Sequence, residues 1–437
     1  MNLFWKNLFG KITPTAILEK RELELRACMQ RYALIAQSAE LSEYQTLYHQ
    51  VNSAHFIENK KKLQNRKYRD TQEFQILKRY NKLHRSLKIK QYYEILQSAE
   101  LKQFIEFEKS ESYEKLGNKS EVSNSPELQG FKKFEKSAHF KLYCRFHNSD
   151  VIREYEELKI KVNAEAFKKN NEFWSNPKRW ESTDDYQKET RYLELEKNPD
   201  IVFYVNEKPD RFEKLKNEQI TFEDNFDWNT LNKSSWQYGF HYKNPNALVN
   251  HSFANEQQAN NEAKNVEVRD GILTIHTRKE PVKARAWDET KGFIMKDFEY
   301  SSSVLNTSLD FSQREGVYKA KIRCSGTVNH AFWLGAPGKL PHINLFHFDG
   351  KKINVGNASE NLINGTKITG INPSQFYIYT LIWSKNELVW MINDVVVFRT
   401  SANVPTENMY LVFNSFIPAT AKGGEGKLEV DWVKVSK

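Results

Sequence analysis

Ala331-Phe-Trp-Leu334, followed after a Gly/Pro-containing link by His342-Ile-Asn-Leu-Phe-His347, decides how the second half of this chain folds. Both pieces read as short strands, and alternate positions on a strand point the same way. Working outward, similar runs recur on either side: Ile272-Leu-Thr-Ile-His-Thr277, Val317-Tyr-Lys-Ala-Lys-Ile322, Tyr377-Ile-Tyr-Thr-Leu-Ile-Trp383, Leu388-Val-Trp-Met-Ile392, Tyr410-Leu-Val-Phe413 and Leu428-Glu-Val-Asp-Trp-Val433. Turn pairs such as Asp270-Gly271, Asp349-Gly350, Asn364-Gly365 and Asn393-Asp394 separate them. Many short strands and almost no helix predict a sandwich of two antiparallel sheets.

The texture before Thr221 is different. Residues 20–197 are poor in Pro and Gly and rich in Glu, Lys, Gln, Leu and Tyr, a helix-forming mixture. A Ser or Thr recurs with apolar residues three and six positions on: Ser38-Leu41-Tyr44, Thr71-Phe74-Leu77, Ser86-Ile89-Tyr92, Ser98-Leu101-Phe104, Ser110-Tyr113-Leu116, Ser125-Leu128-Phe131, Ser137-Phe140-Tyr143 and Ser149-Ile152-Tyr155. Ser53-Phe56 keeps only the first apolar step. Such a hydroxyl accepts a hydrogen bond from the free amides of the next turn and so starts a helix. Each unit is one short helix whose apolar stripe must be buried on its neighbours. The reading is an irregular array of short helices acting as an elongated scaffold. An ordinary helical bundle is the alternative, and the lack of a sustained heptad argues against a long coiled coil.

An aromatic share of 13% excludes a disordered chain. Between Lys60 and Lys90 twelve Lys/Arg face only Asp70 and Glu73. A solvated helix face explains such a run, and binding to phosphates or an anionic glycan is the other reading. Cys28, Cys144 and Cys324 form neither a metal-ligand pattern nor a disulfide framework. Phe4, Trp5, Leu8, Phe9 and Ile12 share one face at helical spacing, while Lys6 and Lys11 interrupt any secretory apolar core. No segment approaches the roughly 20 apolar residues of a membrane-crossing helix. Location is left open between cytoplasmic, phage-associated and export by a non-standard route. The expected organisation is an amphipathic segment at 1–19, the helical repeat region at 20–197, a connector at 198–220 and the sandwich at 221–437.

Within 221–437 the motifs become specific in their order. They run from Phe222-Glu-Asp-Asn-Phe226 through Asn265-Val266 and Asp270-Gly-Ile-Leu-Thr-Ile275, then Tyr300-Ser-Ser302, Gly316-Val-Tyr-Lys-Ala-Lys-Ile322 and Ala331-Phe-Trp-Leu334, to Tyr379-Thr-Leu-Ile-Trp383, Val389-Trp-Met-Ile-Asn-Asp394 and Val430-Asp-Trp-Val-Lys-Val435. This series resembles glycoside hydrolase family 16, the laminarinase, lichenase and agarase group. The resemblance implies a concanavalin A-like antiparallel β-jelly-roll and a polysaccharide partner. It also implies a catalytic strand of the form Glu-x-Asp-x-x-Glu, in which a bulge brings the last residue onto the face of the first two. A retaining glycosidase needs a carboxylate nucleophile and a carboxylic acid about 5–5.5 Å apart.

At the corresponding positions this chain carries His342 (nucleophile), Asn344 (central) and His347 (acid/base), so no catalytic residue is expected among them. One reading is a cleft that binds glycan without cutting it, through His342, Asn344, His347 and an apolar ring face of Trp333. A second is a metal site joining His342, His347 and His330. A third is a vestigial cleft that serves only packing. Trp236, Trp383, Trp390 and Trp432 lie in strand patterns and are expected in the core. The resemblance also suggests Asp431 as a structural calcium ligand. The leading functional expectation is a non-catalytic glycan-binding protein, a pseudo-glycosidase sandwich displayed on a helical scaffold. The alternatives are a structural component of a surface appendage or phage particle, assembling through residues 20–197, and an active hydrolase with a rearranged centre. Nucleic acid is not an expected partner.

Overall fold

The computed structural model describes residues 12–437 apart from 243, 245, 339 and 361. The amphipathic face expected at 1–12 lies outside the described residues except for Ile12, which is buried in the sandwich core. The chain forms two compact units: residues 32–207, and residues 208–437 together with the N-terminal stretch up to residue 31. No helix among the described residues is long and apolar enough to cross a membrane.

The first unit is built from the capped helices that the Ser/Thr pattern marks. All nine marked residues stand immediately before a helix, and seven accept the expected backbone hydrogen bond, Ser38 from Leu41 at 3.1 Å and Ser98 from Leu101 at 3.2 Å among them. Ser86 and Ser110 occupy the position without the side-chain bond. Thr183 caps a further helix through Tyr186 at 3.2 Å, a start the reading above omitted. The helices do not stack only on their sequence neighbours. Ala39–Val51 packs on Asp184–Leu195, Gln72–His84 on Asp150–Asn163, and Leu87–Gln97 on Ala138–Phe146. The array is therefore folded back on itself. Its burial is divided among small clusters, such as Leu83, Ile89, Tyr92, Ile152 and Tyr155.

Two boundaries differ from the sequence expectation. Helix Thr15–Ala36 begins with residues that dock on strand ends of the sandwich unit. Thr15 donates to the Phe376 carbonyl at 2.7 Å, Asn393 donates to the Thr13 carbonyl at 3.0 Å, and Glu19 meets Lys321 at 2.8 Å. These partners lie hundreds of positions away, so no local pattern reveals them. The stretch 198–220 is not a plain connector. Asn198 caps helix Pro199–Asn206, whose Ile201 is buried with Ile35 and Leu41, and Pro209 opens a 3₁₀ turn with Phe212 buried. Both prolines start helices, where a missing N–H is harmless.

In the second unit, one sheet runs in the order Leu362–Ile368, Ile353–Ser359, His342–Asp349, Asn329–Gly335, Tyr410–Phe416, Val304–Asn306, Gln237–Tyr238. The other is centred on Gly316–Gly326, Tyr377–Ser384 and Gly426–Ser436. The ladders are antiparallel apart from two short parallel pairings on the hairpin Ile272–Ser302. One large apolar cluster fills the space between the sheets, with Phe332 stacked on Phe413 at 4.5 Å and Phe346 edge-on to Tyr379 at 4.8 Å. Trp236, Trp383 and Trp390 are buried in it as expected, each large ring contributing roughly 1.5–3 kcal/mol of transfer free energy or more. Trp432 differs: it is half-buried on the outer side, where its indole donates to Glu19 at 3.1 Å.

Candidate functional site

The strand His342–Asp349 carries a register shift between Asn344 and His347. Asn344 pairs with Gly356 and His347 with Asn354, so one extra residue is accommodated. Leu345 and Phe346 both turn into the core, while His342, Asn344 and His347 remain half-buried on the opposite face. The indole of Trp390 reaches across from the other sheet and donates to the Asn344 carbonyl at 2.8 Å, fixing the bulge from behind.

On that face the His342 imidazole lies parallel to Trp333, with ring centroids 4.4 Å apart and planes 13° apart. Its Nε2–H donates to Asn344 Oδ1 at 2.8 Å. His347 Nε2 accepts from Asn329 Nδ2 at 3.2 Å. Burial pushes the His342 imidazole down to about 4 and lowers that of His347 as well, so both are neutral at pH 7. Trp333 is pinned by donation from its Nε1 to Asn414 Oδ1 at 3.0 Å. One of its faces is already covered by His342, so a ligand meets only the remainder of the ring.

The other expected residues are placed differently. His330 faces the core side, and its nitrogens are occupied by Ser415 Oγ at 2.7 Å and the Ser325 carbonyl at 3.0 Å. It does not converge with His342 and His347, and among the described residues no three His, Cys, Asp or Glu side chains come together to hold a metal. Asp431 does not fit a calcium site either. Its carboxylate is 2.8 Å from the Lys321 ammonium, a cation that already supplies the charge a metal would bring. Asp349 accepts from the Lys351 and Lys352 amides at 3.0 and 2.8 Å and from Asn354 at 3.2 Å, so the turn holds it.

Next to His342 and Trp333 the structure forms a cavity of about 540 Å³. Its walls come from the loop after Tyr238 and from the hairpin Ile272–Ser302, and include Phe240, Tyr242, His251, Trp287, Phe293 and Tyr410. Tyr242 donates to His251 Nε2 at 2.8 Å, while His251 Nδ1–H donates to the Ser252 carbonyl at 2.9 Å. His251 also stands edge-on to Phe293 at 5.4 Å, which ties the loop to the hairpin. Sequence reasoning missed these residues. The aromatic run Tyr238-Gly-Phe-His-Tyr242 was the available signal, but nothing local tells which strand it covers. Glu256 was missed too. Burial raises its carboxyl to about 7, against a 2.6 Å hydrogen bond from Gln258 and the nearby Lys296.

The site is thus one bulged strand of a two-sheet antiparallel sandwich, with His342, Asn344 and His347 on one face. The chain is 26% identical over 190 residues to the endo-1,3-1,4-β-glycanase EglC of Rhizobium meliloti, a match covering 38% of this chain and 38% of that relative. Among solved structures it is similar to the laminarinase catalytic domain of Thermotoga petrophila, at 15% identity and a TM-score of 0.40, covering 50% of this chain and 98% of that one. It is also similar to SCLam, a non-specific endo-β-1,3(4)-glucanase of family GH16, at 23% identity and a TM-score of 0.40, covering 51% and 91%. No family model matches the chain.

Proposed function

We propose that this chain is a non-catalytic glycan-binding protein, with the sandwich as the binding module and the helical unit as its scaffold. The observation that carries the reading is the strand His342–Asp349. Its bulge puts His342, Asn344 and His347 on one face, and by the family resemblance these two imidazoles and an amide stand where a retaining enzyme keeps carboxyl groups. Neutral imidazole and amide groups are good partners for sugar hydroxyls. They cannot supply the nucleophile and acid, about 5–5.5 Å apart, that retaining hydrolysis requires. A β-glycan with 1,3 and 1,4 linkages is the first polymer to try, because EglC is named as an endo-1,3-1,4-β-glycanase. An array of β-glucans, β-galactans and mucin-type O-glycans tests the reading. The protein is expected to bind at least one of them, with binding reduced about tenfold or more by Trp333→Ala or His342→Ala. Failure to bind any glycan would sink the proposal.

A rearranged catalytic centre is a second reading with its own support in Glu256. A carboxyl raised to about 7 has the proton affinity of a general acid at neutral pH. Glu256 does not line the aromatic cavity. Release of reducing sugar that disappears in Glu256→Gln and His347→Ala would favour this reading over the first.

A further inference from the structure

We propose that the cleft is closed at one end, so that the site takes the terminal unit of an uncharged glycan chain rather than the middle of a long one. This rests on the glycan-binding reading above and concerns which part of the chain is held.

The closure is visible in the sheet itself. Residues opposite one another on neighbouring strands share a face, so the face of Trp333 continues through Val412 to Asn306. A groove running on across the sheet would leave those side chains open to solvent. Instead Val412, Asn306, Val304 and Tyr410 are all buried. Val304, Tyr410 and Val412 form an apolar cluster with Phe240 and Trp333. The covering segment is fastened at its base: Asn306 Nδ2 donates to the Gly239 carbonyl at 2.7 Å, and the Gly239 amide donates to the Val304 carbonyl at 2.8 Å. The Phe240 amide then donates to the Val249 carbonyl at 2.7 Å, closing the loop. A side chain at Gly239 could not be accommodated, since a Cβ there would lie 2.3 Å from that same Val249 oxygen.

From the second side, the hairpin supplies Trp287 and Phe293, edge-on to each other at 5.0 Å. The Ala254 amide donates to the Trp287 carbonyl at 2.9 Å, so loop and hairpin are joined by backbone as well as by rings. The open side is the reverse direction. His342 and Asn344 are followed there by Ala358 and Gly356, which raise no wall against a chain arriving over them. A glycan entering by that route meets His342 and Asn344 first and the aromatic cavity last.

The chemistry of the cavity selects the ligand. Among the described residues no Asp, Glu, Lys or Arg lines it. Its imidazoles, those of His241, His251 and His342, are all lowered by burial and stay neutral at pH 7. A uronate or sulfate entering this space would lose its hydration without gaining a counter-charge from any described lining residue. A neutral pyranose, with apolar C–H faces and hydroxyls at its rim, matches aromatic walls interrupted by Tyr and His.

The test measures binding of β-1,3-1,4-glucan at equal mass, intact and after partial hydrolysis that multiplies chain ends about tenfold. Chain-end recognition predicts that half-saturation moves to about tenfold lower mass concentration, and that oxidising the oligosaccharides to uronates abolishes most of the binding. Half-saturation that follows mass and ignores the number of ends would overturn this inference and leave glycan binding standing. No binding to polymer or oligosaccharide would overturn both. Trp287 and Phe293 are 37% and 45% exposed and lie outside the main core, so Trp287→Ala/Phe293→Ala is expected to fold, with a melting temperature lowered by only a few degrees. That variant is expected to lose the preference for ends, and an unaltered preference would count against the closed cavity.

Discussion

The two units bury apolar surface in opposite ways. In the sandwich, Phe332, Phe346, Trp390 and Tyr318 belong to one cluster that spans both sheets. In the helical unit, clusters of three to five buried residues each follow one another, from Ile35–Leu41–Ile201 to Leu47–Tyr192–Leu195 and Phe56–Leu63–Trp180. One dominant core shared by both sheets couples most strands to one another, which suits a site assembled from distant segments. A string of small clusters lets each helix pair stand on local terms, which suits a scaffold. The difference explains where a precise row such as His342, Asn344 and His347 can be held. Its strand is braced from behind by Trp390, a residue of the opposite sheet.

Core truncation should separate the two units most strongly. Phe332→Ala removes a fully buried ring and is expected to cost about 3–5 kcal/mol. Hydrogen exchange should then accelerate across the whole sandwich together. Leu101→Ala, also fully buried, is expected to cost about 2–5 kcal/mol. There, faster exchange should be confined to helix Ala99–Glu108 and the helices it touches. Uniform acceleration through residues 32–207 would contradict the modular picture.

Acid provides the next contrast. Burial lowers the His330 imidazole to about 4, so folding favours its neutral form. The unfolded chain binds the extra proton between its ordinary value of about 6.5 and about 4. Stability is therefore complete above pH 6.5 and falls as the pH drops through that window, by on the order of 2–3 kcal/mol from this residue. Melting curves of the sandwich transition from pH 7 to 4 should show the loss, and His330→Gln should reduce it, leaving the part that belongs to His342, which burial lowers to about 4 as well. An equal slope in that variant would remove His330 as the cause.

Caps give the smallest effect and an internal control. Ser98 accepts from the Leu101 amide, so Ser98→Ala should cost about 1 kcal/mol. Ser86 occupies the same position without a side-chain bond, so Ser86→Ala should cost less than about 0.5 kcal/mol by denaturant titration. Equal losses would show that position alone, and not the hydrogen bond, stabilises these helix starts.

The same contrast governs what could be read in advance. Capping is a three-residue event, so Ser38, Ser98 or Ser149 announces a helix in the sequence itself. The pairing of Ala39–Val51 with Asp184–Leu195 is set by contacts across more than a hundred residues, and no local period contains it. In the sandwich the ordered motifs marked the strands, and the bulge places His347 on the face of His342. The cavity was not legible. It depends on the Phe240 loop meeting Trp333 and on Trp287 and Phe293 arriving from a hairpin far along the chain. The ion pair of Asp431 was hidden for the same reason: its partner, Lys321, lies on the neighbouring strand rather than nearby in sequence.

On the proposed function, this cleft holds a glycan and leaves it intact. The direct measurement follows one sample of purified protein with the glycan it binds best, recording saturable binding and new reducing ends over the same hours. The account predicts binding that is lost in Trp333→Ala and a reducing-end signal no higher than in glycan alone. Reducing ends that rise with protein concentration, and stop rising in His347→Ala, would contradict it.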